Sequence, residues 1–534
     1  MSERGLPART TRHWENQAFW LLLGLHLLPL WSHRYFFTVD GPAHLYNAWL
    51  LHDLVQHPGG LASRLLAFNF NPEPNYLSHL LLGSLLTVLP PWLADKLVLT
   101  LYIAGLPLTL RYLLRAIRPE AGWLVVLGFP FIYSVVLLWG FYNFCLSLTL
   151  LLGVVGYWLR HAGRAGPRPV VALAGLLALL FAAHPLSYLV AGLLLGLLAL
   201  AAPGGQRQWR VVAHQLGRLL LAYLPTLPLL GWYFWHKGTA TSQPAQDYAA
   251  NLWAWLRLEP IHYFGAAEGS YRWLVATLLA AALVAAGVQL RRGAAGWPVL
   301  PWAVAVLLLL GAYVALPDEI SGGSVIRPRW GLLSYFTMLG AVAAVPWPRT
   351  WRLVGLAAGT LVAGLLLSFR WQRFEAFQTG LAEYRAALPY LRPGTTLLPL
   401  TYASVTQLPG GPDLGTYIPL FAHAANNLAV EARLLCYENY EADAGYFPLV
   451  WQPGKAPLAG FAQPAQLMPL LDAPAYVPTY VLLWGRAAAP PTSPANAARV
   501  ARYLARYHYA RRFRSPTGLL ELYERATPTG PAAP

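Results

Sequence analysis

Asp40 stands in the stretch TVDGPAHLYNAW (38–49), directly after the first long apolar run of the chain. The Gly41–Pro42 pair predicts a helix from Pro42 to about Val55, with Asp40 near its N-cap and His44 one turn further on. The plain reading is an aspartate that caps a helix. The chemical reading is a general base at a membrane surface, because a carboxylate beside a low-dielectric boundary has its pKa tuned by that boundary. Asp40 and His44 are spaced four apart, and His52 with Asp53 lies two turns on. Such spacings are common by chance, and with no HExxH and no paired cysteines beside them no residue is assigned as a metal ligand.

Seven further residues invite a role. Glu73 lies between two prolines in NFNPEPNYLSH (69–79), where it forms a rigid structural entry to a helix, supplies the second acid of a pair, or is a metal ligand with Asp40. Arg327 and Arg329 close LPDEISGGSVIRPRW (316–330). They anchor a span among lipid headgroups, or their guanidinium forks hold a phosphate. His184, in AHPLSY (183–188), satisfies a local hydrogen bond or touches a substrate. In YAANLWAWLRLEPIHYF (248–264), Trp253, Trp255 and Tyr263 belong to an interfacial belt or stack on sugar rings.

The elements that must position these residues are membrane helices. Of 534 residues 57% are hydrophobic and only 11% charged, and the mean hydropathy is +0.43. That composition excludes a water-soluble globular domain, a disordered chain and a disulfide scaffold. Cys145 and Cys436 are the only cysteines. The net charge of +16 reflects arginine-rich short loops, such as Arg160–Arg168, Arg207–Arg218, Arg291–Arg292 and Arg349–Arg352, of the kind found on the cytoplasmic side, so nucleic-acid binding is set aside. The basic N-terminus and the run from Ala18 to about Trp31 read as a retained signal anchor.

Apolar runs at 15–36, 76–90, 93–114, 122–138, 139–159, 169–183, 186–202, 216–235, 271–290, 297–316, 330–345 and 351–369 predict a mainly α, polytopic bundle of about 11–13 spans. One segment between Tyr76 and Leu159 must be re-entrant, interfacial or split, because simple alternation does not fit the arginine-rich loops. Residues 1–369 form the membrane domain, with a first outer loop at 37–75 and others at 236–270 and 317–329. Residues 370–534 form an extracytoplasmic α/β domain. Its strands are expected at 395–405, 476–485 and 518–525, a helix at 498–513 and a proline-rich loop at 487–495. There is no internal repeat and no heptad pattern. Residues 121–246 contain no acid, and eight of the twelve acids up to Phe369 fall in the three outer loops. An ion-coupled transporter places ionisable groups inside its spans, so the chemistry is expected at the outer boundary instead. The phosphate-binding, dinucleotide and hydrolase signatures GxxxxGK[ST], GxGxxG and GxSxG are absent in any suitable strand–turn–helix context.

A first span followed at once by an aspartate in a long outer loop, then many spans and an outer soluble domain, resembles the GT-C superfamily of polyprenyl-phosphate-dependent glycosyltransferases. The resemblance covers the whole architecture and rests on VDGPAH (39–44), WGFYNF (139–144) and AHP (183–185). It implies a membrane glycosyltransferase that moves a sugar from a polyprenyl-phosphate donor to an acceptor on the extracytoplasmic side of a bacterial inner membrane. Asp40 would be its catalytic base or its metal-associated acceptor-binding residue, and a divalent cation is the cofactor it allows. No further role is carried over from the resemblance, Glu73 included; on their own chemistry His44, Glu73, His184, Arg327 and Arg329 are the expected substrate contacts, the arginines holding the donor phosphate. The WWDYG-type signature is missing, which disfavours transfer to protein asparagine. The alternatives are a flippase of lipid-linked sugar and a non-catalytic membrane scaffold.

Overall fold

Long apolar runs become long helices, and the computed structural model is predominantly helical. It describes residues 8–201, 208–237, 246–293, 299–320, 323–402, 405–415, 418–457, 471, 476–486 and 494–526. Among the described residues four helical segments are long and apolar enough to cross a membrane: Pro91–Ile117, Tyr142–His161, Ala266–Arg291 and Arg349–Tyr390. Four shorter apolar helices, Leu77–Leu86, Arg168–Ala183, Pro185–Leu200 and Leu300–Ala315, accompany them. The run expected as a span at 122–138 is broken. Pro119–Leu127 and Phe129–Trp139 are two helical pieces bent by 45°, a split span or a re-entrant loop. The first piece is a 3-10 helix opened by Pro119, and Gly140 in the left-handed region (φ 89°) ends the second. The run at 216–235 is also broken, into Gln208–Tyr223 and Leu227–Lys237, with Pro225 and Pro228 at the break.

The chain divides into two compact units. The first comprises residues 1–34, 72–78 and 96–371. Within it Tyr142–His161 packs on both Arg168–Ala183 and Pro185–Leu200, and Leu300–Ala315 packs on Arg327–Ala343. Gly340 allows that last contact, because a Cβ there would lie 2.5 Å from the Trp302 ring. Large apolar side chains such as Val284, Leu300 and Leu307 point outward, an arrangement that water disfavours and lipid does not.

The second unit comprises residues 35–71, 79–95 and 372–534, so the C-terminal segment folds with two stretches from the N-terminal part. Seven short strands occur among the described residues: β1 (Leu66–Phe68), β2 (Thr396–Thr401), β3 (Leu435–Cys436), β4 (Leu449–Trp451), β5 (Tyr480–Trp484), β6 (Tyr509–Arg514) and β7 (Leu520–Arg525). β1 and β4 make an antiparallel ribbon. The others form a sheet of order β3-β2-β5-β7-β6, parallel from β3 to β5 and antiparallel beyond. β5 reads YVLLW with every residue buried, as a central strand covered on both faces requires. The helix expected over 498–513 needs correction. It spans Pro494–Arg506 and stops before His508, whose left-handed φ of 57° reverses the chain, and Tyr509–Arg514 pairs with β7 instead. Part of the expected loop at 487–495 lies outside the described residues.

Candidate functional site

The helix Gly41–Gln56 begins where Pro42 presets the backbone, and it packs on Ala424–Ala432 within the second unit. Asp40 stands at its N-cap position yet makes no side-chain capping bond. Its carboxylate turns instead toward His423, whose Nε2 lies 3.7 Å from Oδ1, and it accepts a hydrogen bond from Tyr440. On the far side of the imidazole, Nδ1 of His423 lies 3.0 Å from Oε1 of Glu438. The other Glu438 oxygen accepts from Asn426 at 3.4 Å. A carboxylate, an imidazole and a second carboxylate therefore stand in a row. His423 is fully enclosed, whereas the Asp40 side chain keeps 12% of its exposure, so Asp40 is the end of the row that solvent or a ligand reaches.

Burial pushes the Asp40 carboxyl above its ordinary value, and the neighbouring His423 and His44 hold back that rise. For His423, burial disfavours the charged form, but Glu438 first and Asp40 next outweigh it, and the imidazole titrates above its usual range. The pair is an acid that is less acidic than usual beside an imidazole that holds its proton better than usual, two groups within reach of each other that can hold or pass a proton.

One turn along the same helix, His44 meets a second group. Glu441 binds Nδ1 of His44 through Oε1 at 2.5 Å and Nε2 of His79 through Oε2 at 2.7 Å. One nitrogen from each histidine and one oxygen of Glu441 all lie within 4.8 Å of one another, and all three residues are buried. Burial favours the neutral acid, but the two histidines prevail and bring Glu441 down to about 2, so it is a carboxylate at any physiological pH. Asn439 accepts from the Ala442 amide to cap the short helix Tyr440–Ala444 and donates to Asn47 at 2.7 Å, which ties this helix to the one carrying His44. The Phe447 ring covers both imidazoles, with centroids 5.9 and 5.5 Å away.

The other expected site residues belong to the first unit. His184 caps Pro185–Leu200, its Nδ1 receiving the Leu186 amide at 3.2 Å. Arg329 lies 3.0 Å from Nε2 of His184, donates to the Ser324 carbonyl at 3.1 Å and sits over the rings of Phe141 and Phe144. Arg327 points elsewhere. Its side chain donates to Gln246 at 2.8 Å, while Asp318 accepts from its backbone amide at 2.6 Å and holds the start of the helix Arg327–Ala343. The two arginines, two positions apart, thus diverge. Glu73 is buried and 3.7 Å from Lys237; burial raises its carboxyl and the lysine opposes the rise.

Sequence reasoning singled out Asp40 and His44 but not His79, His423, Glu438 or Glu441. The last two lie in CYENYEAD (436–443), three acids within six residues between apolar neighbours, and that density was the available signal. No family model, no curated protein and no solved structure matches this chain.

Proposed function

We propose that the chain is a membrane glycosyltransferase that moves a sugar from a polyprenyl-phosphate donor to an acceptor hydroxyl. The observation that carries this reading is the Asp40 carboxylate: free of its capping duty, raised by burial and backed by His423 and Glu438. In the proposed step Asp40 takes the proton of the acceptor hydroxyl as its oxygen attacks the anomeric carbon. The bond from that carbon to the phosphate oxygen breaks, and the phosphate leaves with the electron pair. Because His423 favours its charged form, it stabilises Asp40 as an anion before transfer and orients it. Arg329, buried over two aromatic rings, supplies a guanidinium suited to a phosphate group within the first unit.

In this reading the chain is a polytopic bundle of about 11–13 spans: the four long helices, the bent pair and the four short apolar helices make nine, and Ala8–Trp31, the broken run Gln208–Tyr223 with Leu227–Lys237, and Arg327–Ala343 are counted with them. It sits in a bacterial inner membrane with the C-terminal α/β domain outside. The test is turnover of a panel of polyprenyl-phosphate sugars by the full chain in lipid, wild type beside Asp40→Asn. Loss of turnover in the variant with donor binding retained is the expected result. Equal turnover in both removes Asp40 from the chemistry, and donor movement across the bilayer without bond cleavage replaces the enzyme by a flippase.

A further inference from the structure

We propose that His44, His79 and Glu441 form a binding site for a divalent transition-metal ion, zinc in the first instance. The proposal is independent of sugar transfer. Its basis is convergence: three side chains from positions 44, 79 and 441 each bring one ligand atom into a space 4.8 Å across, and each is buried. The spacing allows a cation to take the place of the protons now shared between Glu441 and the two imidazoles.

The donor set selects the metal. Two imidazole nitrogens and one carboxylate oxygen suit zinc and its transition-metal neighbours, whereas magnesium and calcium take all-oxygen shells. Three protein ligands leave a fourth position for water or a substrate oxygen, the arrangement of reactive rather than purely structural zinc. The surroundings support the ligands as a metal site needs. Asn439 holds the Glu441 helix to the His44 helix through Asn47, and Phe447 packs across both imidazole rings.

Charge points the same way. The ion pairs of Asp40, Glu438 and Glu441 run to His423, His44 and His79. An imidazole that ligates a metal is neutral. When His44 and His79 bind the ion, the positive charge that balances Glu441 therefore comes from the dication, while His423 keeps its place between Asp40 and Glu438. The competing account is a purely structural Glu–His pair of hydrogen bonds that ties three segments together.

The test uses the full chain in lipid nanodiscs, purified without a histidine tag, stripped with chelator and titrated with zinc alone against a competing indicator. The expected result is one zinc per chain. His79→Ala and Glu441→Gln should each weaken binding by at least the 10–100-fold typical of losing even an outer-shell partner, and His57→Ala, an exposed histidine paired with Asp53, should change nothing. Because the variants risk misfolding, cobalt is added to the stripped wild type as a second measurement. Visible d–d absorption bands displaced by one equivalent of zinc support the site. A stripped wild type that binds no zinc and shows no cobalt bands overturns it, as does zinc binding of equal strength in folded wild type, His79→Ala and Glu441→Gln.

Discussion

The Arg329 guanidinium lies 3.0 Å from Nε2 of His184, although 145 positions separate them in the chain. Phe141 and Phe144 stack beneath it at 4.4 and 5.6 Å, so the WGFYNF and AHP stretches and the arginine of the third loop meet in one place. Lysine cannot reproduce this, since a compact ammonium lacks both the fork and the plane. Arg329→Lys should weaken binding of a polyprenyl phosphate by about tenfold or more, as a charged hydrogen bond contributes about 1.5–3 kcal/mol. Isothermal titration in detergent measures it. Unchanged affinity would take the donor phosphate away from this residue.

A second buried cation has a structural role. Arg370 donates to Glu268 at 2.8 Å and to the carbonyls of Ile261 and Pro130, while Glu268 accepts from the amides of Tyr263 and Phe264. The pair closes the turn at 261–268 with every partner inside the protein. Arg370→Leu leaves Glu268 charged and enclosed, and should cost about 3–5 kcal/mol. Unfolding by a denaturing detergent gives the value; a loss below about 1 kcal/mol would mean that water reaches Glu268.

Gly355 and Gly359 form a GxxxG stripe on the long helix Arg349–Arg385. A Cβ at Gly355 would lie 2.3 Å from the Trp123 ring, and one at Gly359 would lie 2.5 Å from Val126. These glycines let the helix approach the broken segment closely. Gly355→Ala should destabilise by about 1–3 kcal/mol through overpacking. Gly364→Ala, in the same helix with nothing within 4 Å of its Cβ, should be neutral or stabilising by up to about 1 kcal/mol. Melting temperatures of the two variants decide the matter, and equal values would contradict the close approach.

His423 makes stability depend on pH with a definite sign. Its folded pKa lies above the unfolded value of 6.5, because Glu438 and Asp40 outweigh burial. The stabilisation is therefore complete below about pH 6.5 and is lost as pH rises through the folded value. The stability difference between wild type and His423→Gln should shrink from pH 6 toward alkaline pH. A difference that grows with pH would show an imidazole buried in its neutral form.

The legible part of the site was Asp40 with His44, because a capping position and one helical turn are local relations. Their partners come from the far end of the chain: His423 and Glu441 lie 383 and 397 residues from Asp40 and His44. No period or spacing links such positions; the packing of Gly41–Gln56 on Ala424–Ala432 brings His423 to Asp40, and the Asn439–Asn47 hydrogen bond holds the Glu441 helix beside His44. The helix expected through 513 failed for a similar reason. Its repeating arginines fit a helix as well as a strand, and pairing with β7 chose the strand.

Composition and run length alone determined the helical, membrane-compatible class of this protein and the places of its apolar helices, since transfer into lipid depends on the summed apolarity of a local stretch. They determined too that residues 121–246 carry no acid. The tertiary structure decided that residues 35–71 and 79–95 fold with the C-terminal segment, that Arg327 and Arg329 diverge, and that Glu441 stands between two histidines. Those facts depend on distances between segments remote in the chain, which are set by packing and by the satisfaction of buried charge.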